Sequence, residues 1–443
     1  MNASAGTSDP LLPATRARCR RVVAQVQSEY RLPSLVAGVV RSGRLVWWDA
    51  CGEATGGPAP GPDLQYRIGS LTKMVTAVAV LQCRDDGLVD LDEPVARHSP
   101  GAPFGDTTLR RVLSHAGGLP AEPEGPWWER HDDADLDALF TRVGRQRLVV
   151  APGSRQHYSN LGYALAGAVV AAVRGAGWER VVRDRVLVPL GMTRTTYGPT
   201  RPHARGWSVH PYRGRLEPEP HTDTGAMAPA GQLWSTLADL ARFAVFLTDP
   251  AAHPAVLDAA SVREMTTGHS AEPGTAGTAY GLGVQVDAGP HGPRLGHGGS
   301  MPGFLAALVA EPSTELAAVA MANGTAGAAG SVPGALLDAV AEAEPTTPPP
   351  WRPEPEVAGA DELLGPWFWG NTPFTLVVRD GWLRLEHAGP GRTSRFEPRG
   401  PDAWRGLDAY FAGERLRVVR DAAGGVARLE LATYELTREP YGG

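Results

Sequence analysis

The chain is nearly empty of lysine. Of its 42 basic residues 41 are arginine, and the exception is Lys73. Cysteine is scarce too. Cys19, Cys51 and Cys83 make an odd count without metal-ligand spacing, which argues against both a disulfide framework and a zinc site. The longest charge-free apolar run, near residues 161–173, is shorter than the roughly 20 residues a membrane-crossing helix needs. Net positive charge is missing: −6, with a pI near 6.1, disfavours nucleic acid or an anionic membrane as partner. The opening residues, Met1 to Gly6, hold no basic stretch followed by an apolar one. No signal peptide is therefore expected, and a cytoplasmic location is the expectation. The 12 histidines form no His-x-x-x-His or carboxylate cluster, so no metal or other cofactor is expected.

What is present starts from the one lysine. Arginine keeps its proton, whereas a buried lysine amine can lose it and act as a base. Lysine retained once in so arginine-biased a chain points to a task arginine cannot perform. It lies three residues after a serine, in Ile68-Gly69-Ser70-Leu71-Thr72-Lys73. That spacing suits Ser70 as a nucleophile whose proton Lys73 helps to remove. The apolar run from Met74 to Leu81, ending near Gly87, predicts a buried helix. Residues i and i+3 of a helix share a face, about 5–6 Å apart. A helix N-terminus also offers free N–H groups and partial positive charge to an alkoxide or oxyanion. Ser-x-x-Lys alone is equally a capping serine followed by a surface lysine.

Two further clusters add weight. Tyr158-Ser159-Asn160 stands just before a stretch predicted helical from Ala164 to Val173. A tyrosine beside a cationic lysine can have its pKa lowered and serve as a general base. The Asn160 amide can orient Lys73 or bind a substrate carbonyl. Taken alone, Tyr158 is equally a core tyrosine and Asn160 a helix cap. Leu295 to Gly303 contains His297-Gly298-Gly299-Ser300 and reads as a glycine-rich turn at a strand end, where backbone can approach a ligand. The N–H of Ser300 is the candidate second oxyanion donor, opposite that of Ser70.

In this order the three motifs resemble the penicillin-recognising serine hydrolases, above all the branch of class C β-lactamases, family VIII esterases and D-aminopeptidases. Ser114-His115-Ala116-Gly117-Gly118, Pro229-Ala230-Gly231 and Tyr280-Gly281-Leu282-Gly283 carry the resemblance further. It implies that Ser70 is acylated, that Lys73 and Tyr158 handle protons and that Asn160 positions the substrate's amide or acyl group. His297 stands where β-lactamases carry the lysine of a Lys-Thr-Gly triplet, and Gly298 lacks the hydroxyl. That lysine reads a carboxylate; histidine offers such a charge only when protonated, with a reference pKa of ~6.5. The expectation is thus a serine hydrolase, esterase or amidase, acting on a small acyl ester or amide rather than an efficient β-lactamase. Transfer of the acyl group to an amine acceptor is the alternative. A catalytically silent protein that binds an acylated ligand is the reading from another class, and the presence of Ser70, Lys73 and Tyr158 together weighs against it. No glutamate in a class A context is apparent, which fits a tyrosine-dependent site.

At 443 residues the chain suggests two or three domains. Residues 1–12 read as disordered and 13–31 as an amphipathic helix. Ser34–Val40 and Arg44–Ala50 read as strands joined at Ser42-Gly43. The stretch from about 64 to 250 is mainly helical, with Trp127, Trp128 and Trp207 in loops. Strands return at Leu282–Val286, Phe304–Ala310 and Leu316–Met321, before a helix from about Pro333 to Ala343. Residues 13–343 thus form an α/β sandwich beside a helical lobe, the β-lactamase/transpeptidase-like arrangement the resemblance also implies, with the site at the junction. Residues 344–360 read as a proline-rich, semi-rigid linker. In 361–443, the runs Phe374–Arg379, Trp382–Glu386, Arg415–Arg420 and Val426–Leu431, with turns at Asp380-Gly381 and Gly424-Gly425, predict a small antiparallel β domain. Its Gly365-Pro366-Trp367 opening resembles the lipocalin-like barrels attached to some relatives.

Overall fold

The computed structural model describes residues 10–53, 59–132, 135–345, 351–387 and 392–441. The chain divides into two compact units, residues 1–346 and 347–443. The proline tract 346–350 and residues 1–9 of the stretch expected to be disordered lie outside the described residues. Residues 10–12 are ordered: Leu11 is buried, and the Leu12 N–H donates to Glu344 Oε1 at 2.8 Å. Burial of one leucine at the foot of the first helix, Pro13–Glu29, anchors what composition alone reads as a free end.

The first unit is built on a seven-stranded antiparallel sheet. Its spatial order is Arg44–Gly52, Ser34–Arg41, Leu316–Ala322, Phe304–Glu311, Gly292–Met301, Gln285–Gly289, Thr278–Tyr280. Side chains alternate across a strand. Accordingly Leu35, Ala37 and Val39 pack with the helices Pro13–Glu29 and Val332–Ala343. Val36 and Val40 face the other way, into the larger core with the helices Thr72–Asp85, Asn160–Arg174 and Leu237–Thr248. The central strand Leu316–Ala322 is buried at every position, so it reads as unbroken apolar sequence rather than alternation. The hairpin at Ser42-Gly43 has both φ angles positive, 46° and 76°, as a tight two-residue turn requires. Among the described residues no single helix is long and apolar enough to cross a membrane.

Three local expectations are corrected. The strand expected at Leu282–Val286 begins only at Gln285. Gly281 to Val284 instead form a bend, with Gly283 at φ 87°, and a Cβ on Gly283 would lie 2.4 Å from the Cβ of Ala77. Glycine is required at this bend because the helix Thr72–Asp85 passes too close for a side chain. Trp207 lies in a short ribbon, Trp207–Val209 with Leu216–Pro218, rather than in a plain loop. The glycines around His297 form no turn: residues 297–300 run within the strand Gly292–Met301, where His297 pairs with Leu308. Here glycine serves close packing, since a Cβ on Gly296 would meet Leu308 O at 2.0 Å and one on Gly299 would meet Ile68 O at 2.0 Å.

The second unit is an eight-stranded antiparallel sheet whose strands follow one another in chain order, from Gly365–Trp369 to Tyr434–Leu436. A bridge between Phe368 and Thr437 brings the last segment back to the first, so the sheet nearly closes into a barrel. Alternate residues fill it: Phe374 and Leu376, Leu383 and Leu385, Leu416 and Val418, Leu429 and Leu431. The strands left out of the sequence reading are short, as at Ala403–Gly406, or irregular, as at Ser394–Gly400 with its register shift between Pro398 and Gly400.

Because Gly299 touches the turn that carries Ser70, Gly299→Ala is expected to leave the far-ultraviolet circular dichroism native while slowing labelling of Ser70 by a fluorophosphonate probe at least about tenfold, by displacing strand from turn. Wild-type rates in that variant would show the contact to be slack.

Candidate active site

The helix Thr72–Asp85 is entered through a single 3₁₀ turn, Gly69–Leu71, which presents Ser70. Gly69 adopts φ 52°, and a Cβ there would lie 2.6 Å from the backbone N of Ser300. Only glycine allows both the left-handed conformation and this approach. Ser70 and Ser300 are thereby brought together across the strand Gly292–Met301, with Gly299 against Ile68 on the same seam.

Lys73, one turn along, is fully buried. Its Nζ lies 2.9 Å from Ser70 Oγ, 2.6 Å from Asn160 Oδ1 and 2.8 Å from the carbonyl of Ala230. Each partner is held by its own local structure. Asn160 opens the helix Asn160–Arg174, which Ser159 caps by accepting from the Gly162 N–H at 3.0 Å; Ser159, not Asn160, is the cap. Ala230 sits on a short turn tied to the helix Thr72–Asp85 by Thr76 Oγ1 donating to Pro229 O at 2.9 Å. Arg67 ties the residues on either side of this turn by donating to Gln232 Oε1 at 2.8 Å and to Thr222 O at 3.2 Å.

Burial lowers the Lys73 pKa to about 7, because an ammonium loses its water there; the carboxylates of Glu122 and Glu129 pull in the opposite direction. Near neutrality the amine is therefore in large part unprotonated. A neutral amine has two N–H groups and one lone pair. Asn160 Oδ1 and Ala230 O can only accept, so they take the two N–H groups, and the lone pair is left for Ser70 Oγ.

Tyr158 lies beside this pair, with Lys73 Nζ 5.0 Å from its ring centroid. Its pKa is raised, contrary to the expected lowering. Burial is the main cause, Glu122 and Glu129 push further up, and the interaction of its hydroxyl with Ser70 opposes them. The tyrosine is walled by rings, His115 at 4.2 Å and Tyr280 at 6.4 Å, and its lysine neighbour brings only part of a charge at neutral pH. It is thus a phenol, able to donate a proton, and not a standing phenolate.

His297 is also buried. Its Nδ1 faces the carbonyl of Gly298, which can only accept, so that nitrogen carries the hydrogen and Nε2 accepts from the Tyr280 hydroxyl at 2.7 Å. Burial, with Lys73 nearby, lowers its pKa to about 4. Both ring nitrogens are committed inward and the ring is neutral, so the side chain brings no positive charge to the cleft. The open side of the strand is backbone, and a Cβ at Gly298 would meet nothing. His115 is likewise structural: its Nδ1 accepts from the Ser159 N–H at 3.1 Å, and burial holds its pKa well below the usual value.

The sequence reading missed Glu122. It is an exposed residue whose Oε1 accepts from Asn160 Nδ2 at 2.6 Å and whose Oε2 accepts from Trp128 Nε1 at 2.7 Å. It sits in an Ala-Glu-Pro-Glu-Gly-Pro loop without periodicity, 38 residues from Asn160. Glu129, on the same loop, accepts from Trp127 Nε1 at 2.8 Å, and burial raises its pKa. Glu122 and Glu129 thus both act on the charge of Lys73, and the histidine near that amine is neutral.

Known proteins resemble the chain over most of its length. Residues 19–343 match the family described as Beta-lactamase, and residues 356–438 match a domain of unknown function, DUF7586. A human beta-lactamase-like protein is 31% identical over 257 residues, covering 54% of this chain and 50% of that protein. As with other such relatives, the chain spans about half its length. The crystal structure of SurE, also solved with D-Leu, is 26% identical with a TM-score of 0.62, covering 96% of this chain and 99% of that one. A D-stereospecific amidohydrolase from Streptomyces sp. is 25% identical with a TM-score of 0.62, covering 75% and 99%.

Two outcomes follow. Labelling of the serine by a short-chain p-nitrophenyl ester is expected to rise with pH through a midpoint near 7, as the Lys73 amine loses its proton. Lys73→Arg, which keeps charge but not the base, is expected to lose at least about 10²-fold, within the range for general bases. Full activity in that variant would leave Lys73 as a mere positive charge.

Proposed function

The chain belongs to the Beta-lactamase family, and we propose that it is a serine acyl-enzyme hydrolase that favours small esters or amides with a free amine near the scissile carbonyl. One observation carries this reading: the Glu122 carboxylate is hydrogen-bonded to Asn160, which in turn touches Lys73 beside the nucleophile. Glu122 stands 2.6 Å from Asn160, while His297, at the place where a carboxylate-reading lysine is expected, is neutral. The Glu122 carboxylate is exposed, so its attraction for a substrate ammonium is screened by water, yet its sign favours an ammonium over a carboxylate at this place. The D-Leu bound in the SurE structure and the name of the Streptomyces amidohydrolase support a D-amino-acid derivative as the substrate class.

The chemistry follows from the protonation states. Ser70 Oγ attacks the carbonyl carbon as its proton passes to Lys73 Nζ. The N–H groups of Ser70 and Ser300 hold the oxyanion; loss of one such donor costs about 10²–10³ in rate. The bond to the leaving group breaks as the Tyr158 hydroxyl donates its proton, which the Lys73 ammonium replaces. Water then attacks the acyl-serine, gives its proton back through Tyr158 and Lys73, and frees Ser70. The same carboxylates would seat an amine arriving after acylation, which makes acyl transfer the second outcome.

On this account D-leucine p-nitroanilide turns over with a kcat/KM at least about tenfold above its N-acetyl derivative and above an N-acyl-D-Ala-D-Ala peptide. Mass spectrometry of the products with added amines separates hydrolysis from transfer. Preference for the N-acetylated or carboxylate-bearing substrate would reject the reading.

A further inference from the structure

Four hydrogen-bonded contacts run in series from a loop indole to the nucleophile. Trp128 Nε1 donates to Glu122 Oε2 at 2.7 Å, and Asn160 Nδ2 donates to Glu122 Oε1 at 2.6 Å. Asn160 Oδ1 lies 2.6 Å from Lys73 Nζ, which lies 2.9 Å from Ser70 Oγ. We propose that Glu122 is a positioning residue, which aims the Lys73 lone pair at Ser70 by fixing which end of the Asn160 amide faces the lysine.

An amide side chain fits its pocket equally well in two orientations, and only its partners tell them apart. An ionised carboxylate accepts and cannot donate, so Glu122 admits only the NH₂ end of Asn160. The carbonyl end is thereby turned to Lys73 and takes one of its N–H groups, with Ala230 O taking the other. Were the amide reversed, Nδ2 would donate to the amine and compete with Ser70 for its single lone pair. The amine would remain present and buried yet point at the wrong partner. Trp128 fixes the second carboxylate oxygen, and its ring rests near Gly231, beside the Ala230 carbonyl, so loop and floor are held together.

Glu122 does not touch the reacting atoms in this scheme. It does act on the charge of Lys73, together with Glu129; the other groups facing the amine are Tyr158, Tyr163 and the neutral rings of His115 and His297. Glutamine at position 122 removes the charge and, having one acceptor for two donors, allows Asn160 to reverse. Two effects with separate signatures follow. Loss of the charge moves the acid limb of the pH profile downward. Loss of aim lowers the plateau above that limb.

The inference rests on Ser70 and Lys73 acting as the proposed hydrolase requires, but not on the preference for amines. The test is therefore phosphonylation of Ser70 by a neutral fluorophosphonate, in which Oγ bonds to phosphorus, fluoride leaves and the serine proton passes to Lys73. Rates are measured across pH for the full chain and for Glu122→Gln, alongside Ser70→Ala. The expected result is a plateau at least about tenfold below wild type, with the limb displaced to lower pH. A plateau within about twofold of wild type overturns the proposal, whatever the limb does, and leaves Glu122 as a charge alone. Undiminished labelling of Ser70→Ala would instead reject the underlying hydrolase reading.

Discussion

Withdrawal of one amine from water organises this molecule. A buried ammonium without compensation is costly, and a lysine responds by giving up its proton. Here three oxygens surround Lys73 Nζ at 2.6 to 2.9 Å, and two carboxylates stand nearby. The balance leaves the group close to neutrality in both senses. It is sufficiently desolvated to be a base near pH 7, yet sufficiently supported to carry the proton it collects. Arginine could meet the geometry in part but never the proton balance, which gives a physical reason for the chain's single lysine.

The surrounding rings obey the same desolvation. Tyr158, Tyr163 and Tyr280 are driven up as acids, and His115 and His297 are held neutral. One dry pocket therefore produces a base, a proton donor and an uncharged wall. The two sides of the cleft are brought together by absent side chains. Gly69 and Gly299 let the serine turn lie directly on the strand that bears Ser300, a contact that any Cβ would prise apart.

Much of this was legible in residues close together in the chain. Ser70 and Lys73 share a turn, Ser159 and Asn160 open a helix, and alternating runs such as Phe374–Arg379 mark strands by period alone. What escaped depends on contacts between distant segments. Glu122 lies in an irregular loop, and nothing local marks it as the partner of Asn160. His297 stands out in the sequence as an unusual residue, but its neutral state depends on Tyr280 and on burial, which the motif does not reveal. The rise in the Tyr158 pKa was hidden for the same reason: the sequence suggests a cationic neighbour, whereas enclosure by rings sets both partners' charge. The glycines near His297 looked like a turn because glycine marks close backbone approach as well as reversal, and only the fold tells the two apart.

The protonation of one nitrogen decides this chemistry, and the composition makes it directly measurable. Protein grown on ¹³C-labelled lysine carries a single side-chain Cε signal, that of Lys73. Its chemical shift followed against pH is predicted to titrate with a midpoint near 7. A midpoint near the ordinary lysine value of ~10.4 would mean that the amine stays charged at neutral pH, and the account of Ser70 activation would be contradicted.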